Sequence, residues 1–139
     1  MLVNRRSVRI EWGDCDPAGI VWYPRYFGIF DACTQHLFEA AGFPKPAMIA
    51  RFDVVGYPMV DTHARFLVPS RFGDDIAIES RVAKWKRSSF DIEHIVRKGE
   101  TLAIEAFETR VLVRRSDDGG IKSCPVPNEI IAAFGRVLA

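Results

Sequence analysis

The sequence predicts an α+β domain in which an antiparallel sheet embraces one long helix. Three observations point there. One stretch, Pro24 to Ala41, has helical periodicity and is apolar and aromatic over a broad arc. Several strand-like runs follow it, joined by connections too short for crossover helices. The 139 residues make one domain, 1–139, long enough to bury roughly 70% of the unfolded surface.

The elements follow in order. Ser7 to Trp12 alternates, with Val8, Ile10 and Trp12 on one face and Ser7, Arg9 and Glu11 on the other, which predicts a first strand. Asp16-Pro17 and Ala18-Gly19 then break regular structure and make an acidic turn. Pro24 suits the first turn of a helix, where its missing N–H costs nothing, and Gly42 and Pro44 stop that helix. At about 100° per residue, Tyr26, Ile29, Phe30, Cys33, Leu37, Ala40 and Ala41 share the apolar arc. Arg25, Gly28, Gln35 and Glu39 lie opposite. So wide an arc suits a helix embraced by a sheet rather than perched on one.

A Pro-rich connection spans Phe43 to Ala50. Strands are predicted at Tyr57 to Val68, Asp75 to Arg87, Phe90 to Arg97 and Thr101 to Arg115. Ile76, Ile78 and Val82 share one face of the second. Phe90, Ile92, His94 and Val96 share one face of the third. Ser88-Ser89 and Lys98-Gly99-Glu100 are hairpin-length links, and Asp117-Asp118-Gly119-Gly120 is a further turn. A last helix is predicted from Pro127 to Val137. No internal repeat, low-complexity run or interdomain linker interrupts this order.

Composition narrows the function. Hydrophobic content of 48% supports a packed core, and the net charge of +1 comes from interspersed acids and bases. That pattern argues against a nucleic-acid partner. No segment approaches the ~20 apolar residues of a membrane span, and Met1-Leu2-Val3-Asn4-Arg5-Arg6 is unlike a signal peptide. A cytoplasmic location is expected. Cys15, Cys33 and Cys124 are widely spaced and form no CxxC pair, so neither a disulfide framework nor a zinc site is expected.

The acidic turn carries the chemistry. It sets the carboxylates Asp14 and Asp16 a few residues before a helix entrance, whose backbone N–H groups lack intrahelical partners. Such donors stabilise negative charge that develops during attack on an acyl carbonyl, and the arrangement needs no metal. The bland alternative is a turn aspartate bonding its own backbone. Asp31 is a second candidate, an aspartate within the helix at the border of the apolar arc, beside Phe27, Thr34 and Phe38. The bland alternative is a solvated residue at the helix boundary. Lys84, Lys86 and Arg87 form a basic cluster, which on residues alone reads as a solvated hairpin edge. His36, His63 and His94 are isolated and show no metal-ligand spacing.

Gly13-Asp14-Cys15-Asp16-Pro17-Ala18-Gly19-Ile20-Val21-Trp22-Tyr23-Pro24-Arg25-Tyr26, followed by Asp31-Ala32, resembles the hotdog-fold acyl-CoA thioesterases. Within these it is similar to the 4-hydroxybenzoyl-CoA thioesterase family of the Pseudomonas type. Pro69-Ser70-Arg71-Phe72-Gly73-Asp74-Asp75 and Trp85-Lys86-Arg87-Ser88-Ser89-Phe90 extend the resemblance over nearly the whole chain.

The resemblance implies a hotdog fold, a curved antiparallel sheet wrapped around one long helix, and hydrolysis of an aromatic acyl-CoA, with 4-hydroxybenzoyl-CoA foremost, to free acid and coenzyme A. It implies no cofactor, dimers with active sites at the subunit interface, and pairing of those dimers into homotetramers. Asp16 is implied as the attacking carboxylate. Nucleophilic attack forms a mixed anhydride that water opens, and general-base activation of water is the alternative. Asp14 is left as a turn or cap group. Tyr23 is implied to hold the thioester oxygen through its backbone N–H, and Asp31 to bond the para-hydroxyl of the acyl group. Lys86 and Arg87 are implied as ligands of the coenzyme A phosphates.

Two departures touch specificity. Ser88 stands where a further basic residue is expected, which leaves Arg71 or Lys122 to supplement the phosphate contacts. Asp61-Thr62-His63 is unusually polar for a strand that can line the acyl pocket. Aliphatic or carrier-protein thioesters, and a noncatalytic acyl-CoA-binding role, are the alternatives. The intact Asp16 turn argues against the last. A dehydratase would need a histidine in the helix-entry motif, which has none.

Overall fold

A computed structural model describes residues 1–135. Its centre is α1, Pro24–Ala40, entered through Pro24 and ended by Gly42 at φ +89°, a backbone conformation suited to glycine. A five-stranded antiparallel sheet curves around this 17-residue, roughly 25 Å helix. The strands are β1 (Asn4–Arg9), β2 (Met59–Phe66), β3 (Asp75–Trp85), β4 (Ser89–Lys98) and β5 (Thr101–Val111). Their order in the sheet is β1-β3-β4-β5-β2, so β1 and β2 are its edges. The hairpin links behave as expected: Lys86 N–H donates to the Ser89 carbonyl at 2.8 Å, and Gly99 turns at φ +60°. No described helix is long and apolar enough to cross a membrane.

Four local expectations change. β1 ends at Arg9 rather than Trp12. Ile10 is buried, but the chain then tightens into a 3-10 turn over Trp12–Asp14, in which the Asp14 carboxylate caps the Glu11 N–H at 2.9 Å. Trp12 is therefore 76% exposed and rests edge-on against Phe72 instead of entering the core. The Pro-rich connection contains a helix, α2 (Lys45–Phe52), because Pro46 lies in its first turn, where proline is tolerated. The final predicted strand divides at Leu112, whose N–H donates to the Ser88 carbonyl at 2.8 Å. Beyond it, β6 (Val113–Arg115) pairs with β7 (Ile121–Ser123) in a separate ribbon. The last helix, α3, covers Asn128–Phe134, and its predicted extension to Val137 lies outside the described residues.

The apolar core is in two parts. One gathers Tyr26, Phe30 and Cys33 of α1 with Ile76, Ile78, Val96 and Ile104 of the sheet. The other gathers Leu37 and Phe38 with Tyr57, Val82, Phe90, Ile92, Leu112 and Phe134. Phe38 anchors the second, its ring centroid 4.8 Å from Tyr57, 5.2 Å from Phe90 and 4.9 Å from Phe134. The buried face of α1 is thus rotated from the expected arc. Phe38 and Thr34 are buried while Ala40 is exposed, because the sheet contacts the side on which the aromatic rings project.

Candidate active site

The acidic turn is built by its own backbone. The Asp16 N–H donates to the Ile20 carbonyl at 3.1 Å, and the Gly19 N–H donates to the Asp16 carbonyl at 2.9 Å. Gly19 adopts φ +79°, which a larger residue would resist, and the Arg71 guanidinium closes over it. The Ala18 N–H donates to Asp16 Oδ1 at 2.9 Å. The local turn aspartate of the bland reading is therefore present, but it uses one carboxylate oxygen and leaves Oδ2 unengaged among the described residues. Val21 N–H donates to the Ser70 carbonyl and Trp22 N–H to the Asp14 carbonyl, at 2.9 and 2.8 Å. Asp14 is thus occupied twice in holding the turn, in keeping with its expected structural role.

These bonds deliver Tyr23 to the N-cap of α1 with helical φ and ψ of −52° and −34°. Its N–H finds no acceptor among the described residues, and Pro24 brings no competing donor. Clefts flank the turn on two sides. One, of about 600 Å³, is lined by Tyr23, Tyr26, Phe66, Val68 and Ser70. The other, of about 400 Å³, is lined by Trp12, Asp16, Pro17 and Phe72. Tyr26 and Ser70 are buried, and neither hydroxyl has a well-formed hydrogen bond. Burial pushes the Tyr26 phenol up, against a smaller opposing pull from Ser70. Tyr26, Phe66 and Ser70 carry no chemical signal in sequence, since Tyr26 reads as part of the apolar arc, Phe66 as a strand residue and Ser70 as a turn residue.

Asp31 lines neither cleft. Its Oδ1 accepts from Arg110 Nη2 at 2.8 Å and its Oδ2 from Gln35 Nε2 at 3.0 Å. Burial pushes the Asp31 carboxyl up, but the Arg110 hydrogen bond and charge, helped by Gln35, outweigh it and hold the group below the ordinary carboxylate range. Lys86 and Arg87 lie at the β3–β4 hairpin, beyond the end of an 11-residue strand whose start adjoins the acidic turn. That strand is about 35 Å long, so one protomer does not bring these cations to Asp16. Lys86 is 3.4 Å from Asp91, and Arg87 is exposed. Arg71 is the cation beside the turn, while Lys122 lies on β7. His63 is exposed on β2 and stacks on Phe107 at 4.8 Å. No group of three or more His, Cys, Asp or Glu among the described residues is placed to hold a metal ion.

A long helix inside a curved antiparallel sheet, with a carboxylate turn at the helix entrance, defines a hotdog-fold enzyme of acyl thioesters. Residues 10–134 match the thioesterase-like superfamily, and the chain belongs to it. The 4-hydroxybenzoyl-CoA thioesterase of Pseudomonas sp. (strain CBS-3) is 35% identical over 130 residues, 88% of this chain and 91% of that one. A crystal structure of a mutant 4-hydroxybenzoyl-CoA thioesterase complexed with 4-hydroxybenzoyl-CoA superposes with a TM-score of 0.87 at 33% identity. The match covers 95% of this chain and 98% of that one. A gentisyl-coenzyme A thioesterase superposes with a TM-score of 0.82 at 29% identity, over 96% of this chain and all (100%) of that one.

Proposed function

We propose that this protein hydrolyses aromatic acyl-CoA thioesters, 4-hydroxybenzoyl-CoA foremost, to the free acid and coenzyme A. The observation that carries the reading is Asp16, with one oxygen tied to Ala18 and the other unengaged, close in the chain to the unpartnered Tyr23 N–H. Asp16 Oδ2 attacks the thioester carbon, and the carbonyl π electrons move onto oxygen, where the Tyr23 N–H receives the developing charge. Collapse expels the coenzyme A thiolate and leaves a mixed anhydride. Water opens the anhydride to free acid and restores the carboxylate. The same oxygen is equally placed to deprotonate an attacking water, which omits the covalent intermediate.

Asp31 is read as the acceptor of the acyl group's phenolic proton. Two protomers joined through β2 would complete the site. This strand is an open edge of the sheet, carrying exposed Val60 and Phe66 with exposed Leu67 just beyond its end, and its Phe66 ring lies 6.4 Å from that of Tyr23. In such a homodimer, further paired into a homotetramer, Lys86 and Arg87 reach the coenzyme A phosphates from a neighbouring protomer. Three unpaired cysteines suit a reducing compartment, and we place the enzyme in the cytoplasm.

The test is thiol release from a panel of aromatic, aliphatic and carrier-bound acyl thioesters. Asp16→Asn is expected to lower turnover by about 10²- to 10⁴-fold on every substrate hydrolysed. Unimpaired turnover in that variant overturns the assignment.

A further inference from the structure

Between the two apolar parts of the core lies a transverse polar layer, to which α1 and each of the three central strands contribute. The layer comprises Thr34 of α1, Ser80 of β3, His94 of β4, and Glu108 and Arg110 of β5, all buried. Thr34 Oγ1 donates to Glu108 Oε2 at 2.8 Å, and Arg110 Nε donates to the same oxygen at 3.0 Å. His94 Nε2 stands 3.2 Å from Glu108 Oε1, while its Nδ1 is 2.7 Å from Ser80 Oγ. The ring also stacks on Phe30, with centroids 5.1 Å apart and planes within 10°.

The proton pattern follows from these distances. A lone pair on Nε2 would face a carboxylate oxygen, so Nε2 is the nitrogen that carries the proton, although Glu108 Oε1 makes no well-formed hydrogen bond, and Nδ1 accepts from the Ser80 hydroxyl. The chain then runs from Ser80 through His94 to Glu108, and from Glu108 through Arg110 to Asp31. Among the described residues, Arg110 alone bonds both the buried layer and the half-exposed Asp31. Its side chain is 5% exposed, against 45% for Asp31, and its planar fork engages Glu108 through Nε and Asp31 through Nη2.

We propose that Arg110 is a positioning residue for substrate discrimination. Anchored by Glu108, it holds the Asp31 carboxylate in one orientation, with lone pairs left over for the hydroxyl of an aromatic acyl group. A free Asp31 on a helix surface would sample several rotamers and solvate itself. Held by Arg110 and Gln35, it has two acceptor sites occupied and the remainder directed outward. This inference rests on the reading of Asp31 as phenol acceptor and adds the means by which that acceptor is aimed.

The test compares kcat/KM for 4-hydroxybenzoyl-CoA with that for benzoyl-CoA in wild type, Asp31→Asn, Arg110→Lys and Glu108→Gln. Lysine keeps the charge at 110 but has no fork to span both carboxylates. Arg110→Lys is expected to lower the ratio of the two by about tenfold, with turnover of benzoyl-CoA within about threefold of wild type. Glu108→Gln is expected to shift the ratio the same way and decides the matter if Arg110→Lys does not fold. An equal loss on both substrates assigns Arg110 to structure alone and overturns the inference. So does an unchanged ratio in Arg110→Lys and Glu108→Gln when Asp31→Asn lowers it. If Asp31→Asn also leaves the ratio unchanged, or wild type shows no preference, the reading of Asp31 falls, and this inference with it.

Discussion

Replacing Glu108 separates the packing and electrostatic parts of the polar layer. Glu108→Ala removes a carboxylate with a 2% exposed side chain and takes a partner from three groups at once: the Thr34 hydroxyl, the Nε2–H of His94 and the Arg110 guanidinium. Arg110 keeps Asp31 as one partner, so its charge is not wholly uncompensated. The expected loss of stability is nonetheless about 3–5 kcal/mol, the range for breaking a buried ion pair from one side. Glu108→Gln keeps the shape. Its carbonyl oxygen can take the place of Oε2 and accept from Thr34 and Arg110, while its amide nitrogen takes the place of Oε1, facing His94. The ring then accommodates the change by moving its proton to Nδ1 and donating to Ser80. The remaining cost is that of weakening charge-assisted bonds, about 1.5–3 kcal/mol. Urea unfolding followed by circular dichroism measures both variants, and nitrogen NMR of the histidine ring reports the tautomer. Glu108→Ala within about 1 kcal/mol of wild type would refute the accounting. An unmoved His94 tautomer in Glu108→Gln would refute the proton assignment.

Three further outcomes are expected. Phe38→Ala should destabilise by about 3–5 kcal/mol by urea unfolding, since the ring joins Tyr57, Phe90 and Phe134, whereas Trp12→Ala should stay within about 0.5 kcal/mol because it is exposed. Burial raises the Glu108 carboxyl, but its His94 and Arg110 contacts prevail and hold it below the ordinary glutamate range. Its contribution is therefore fully present above the unfolded value of about 4.3 and is lost as pH falls through the depressed folded value, so Glu108→Gln should flatten the acid limb of an unfolding midpoint-against-pH profile. Val60→Lys places a charge on the open β2 edge and should shift the protein towards smaller species in analytical ultracentrifugation, with loss of thiol release. Unchanged mass would remove β2 from the proposed interface.

The sheet and the central helix were legible because their signals are local. Alternation identified the faces of β3 and β4, and Pro24 and Gly42 bounded α1 closely. The acidic turn was legible for the same reason, being continuous in the chain. Trp12 misled because alternation continues one residue past the point where Asp14 caps the backbone. Two prolines hid α2, since proline marks a helix start as readily as a loop. The polar layer was illegible for a different reason. Glu108 and Arg110 face inward while Phe107 is half-exposed on the opposite face, which inverts the usual expectation for an alternating strand. Only partners from β4 and from α1, the latter far away in sequence, make that inversion tolerable.

Those distant partners also govern how the chain reaches its native state. Thr34 bonds a residue 74 positions later and Asp31 one 79 positions later, so the polar part of the α1 face lacks its partners until β5 has been synthesised. The helix is available early as local structure, but its enclosure must wait for nearly the full chain, which makes folding slow and largely post-translational. During that interval Phe30, Leu37 and Phe38 are only partly covered, by residues of β3 and β4 that are already made. A ribosome stalled before Glu108 would therefore release a fragment prone to aggregate rather than a smaller folded unit.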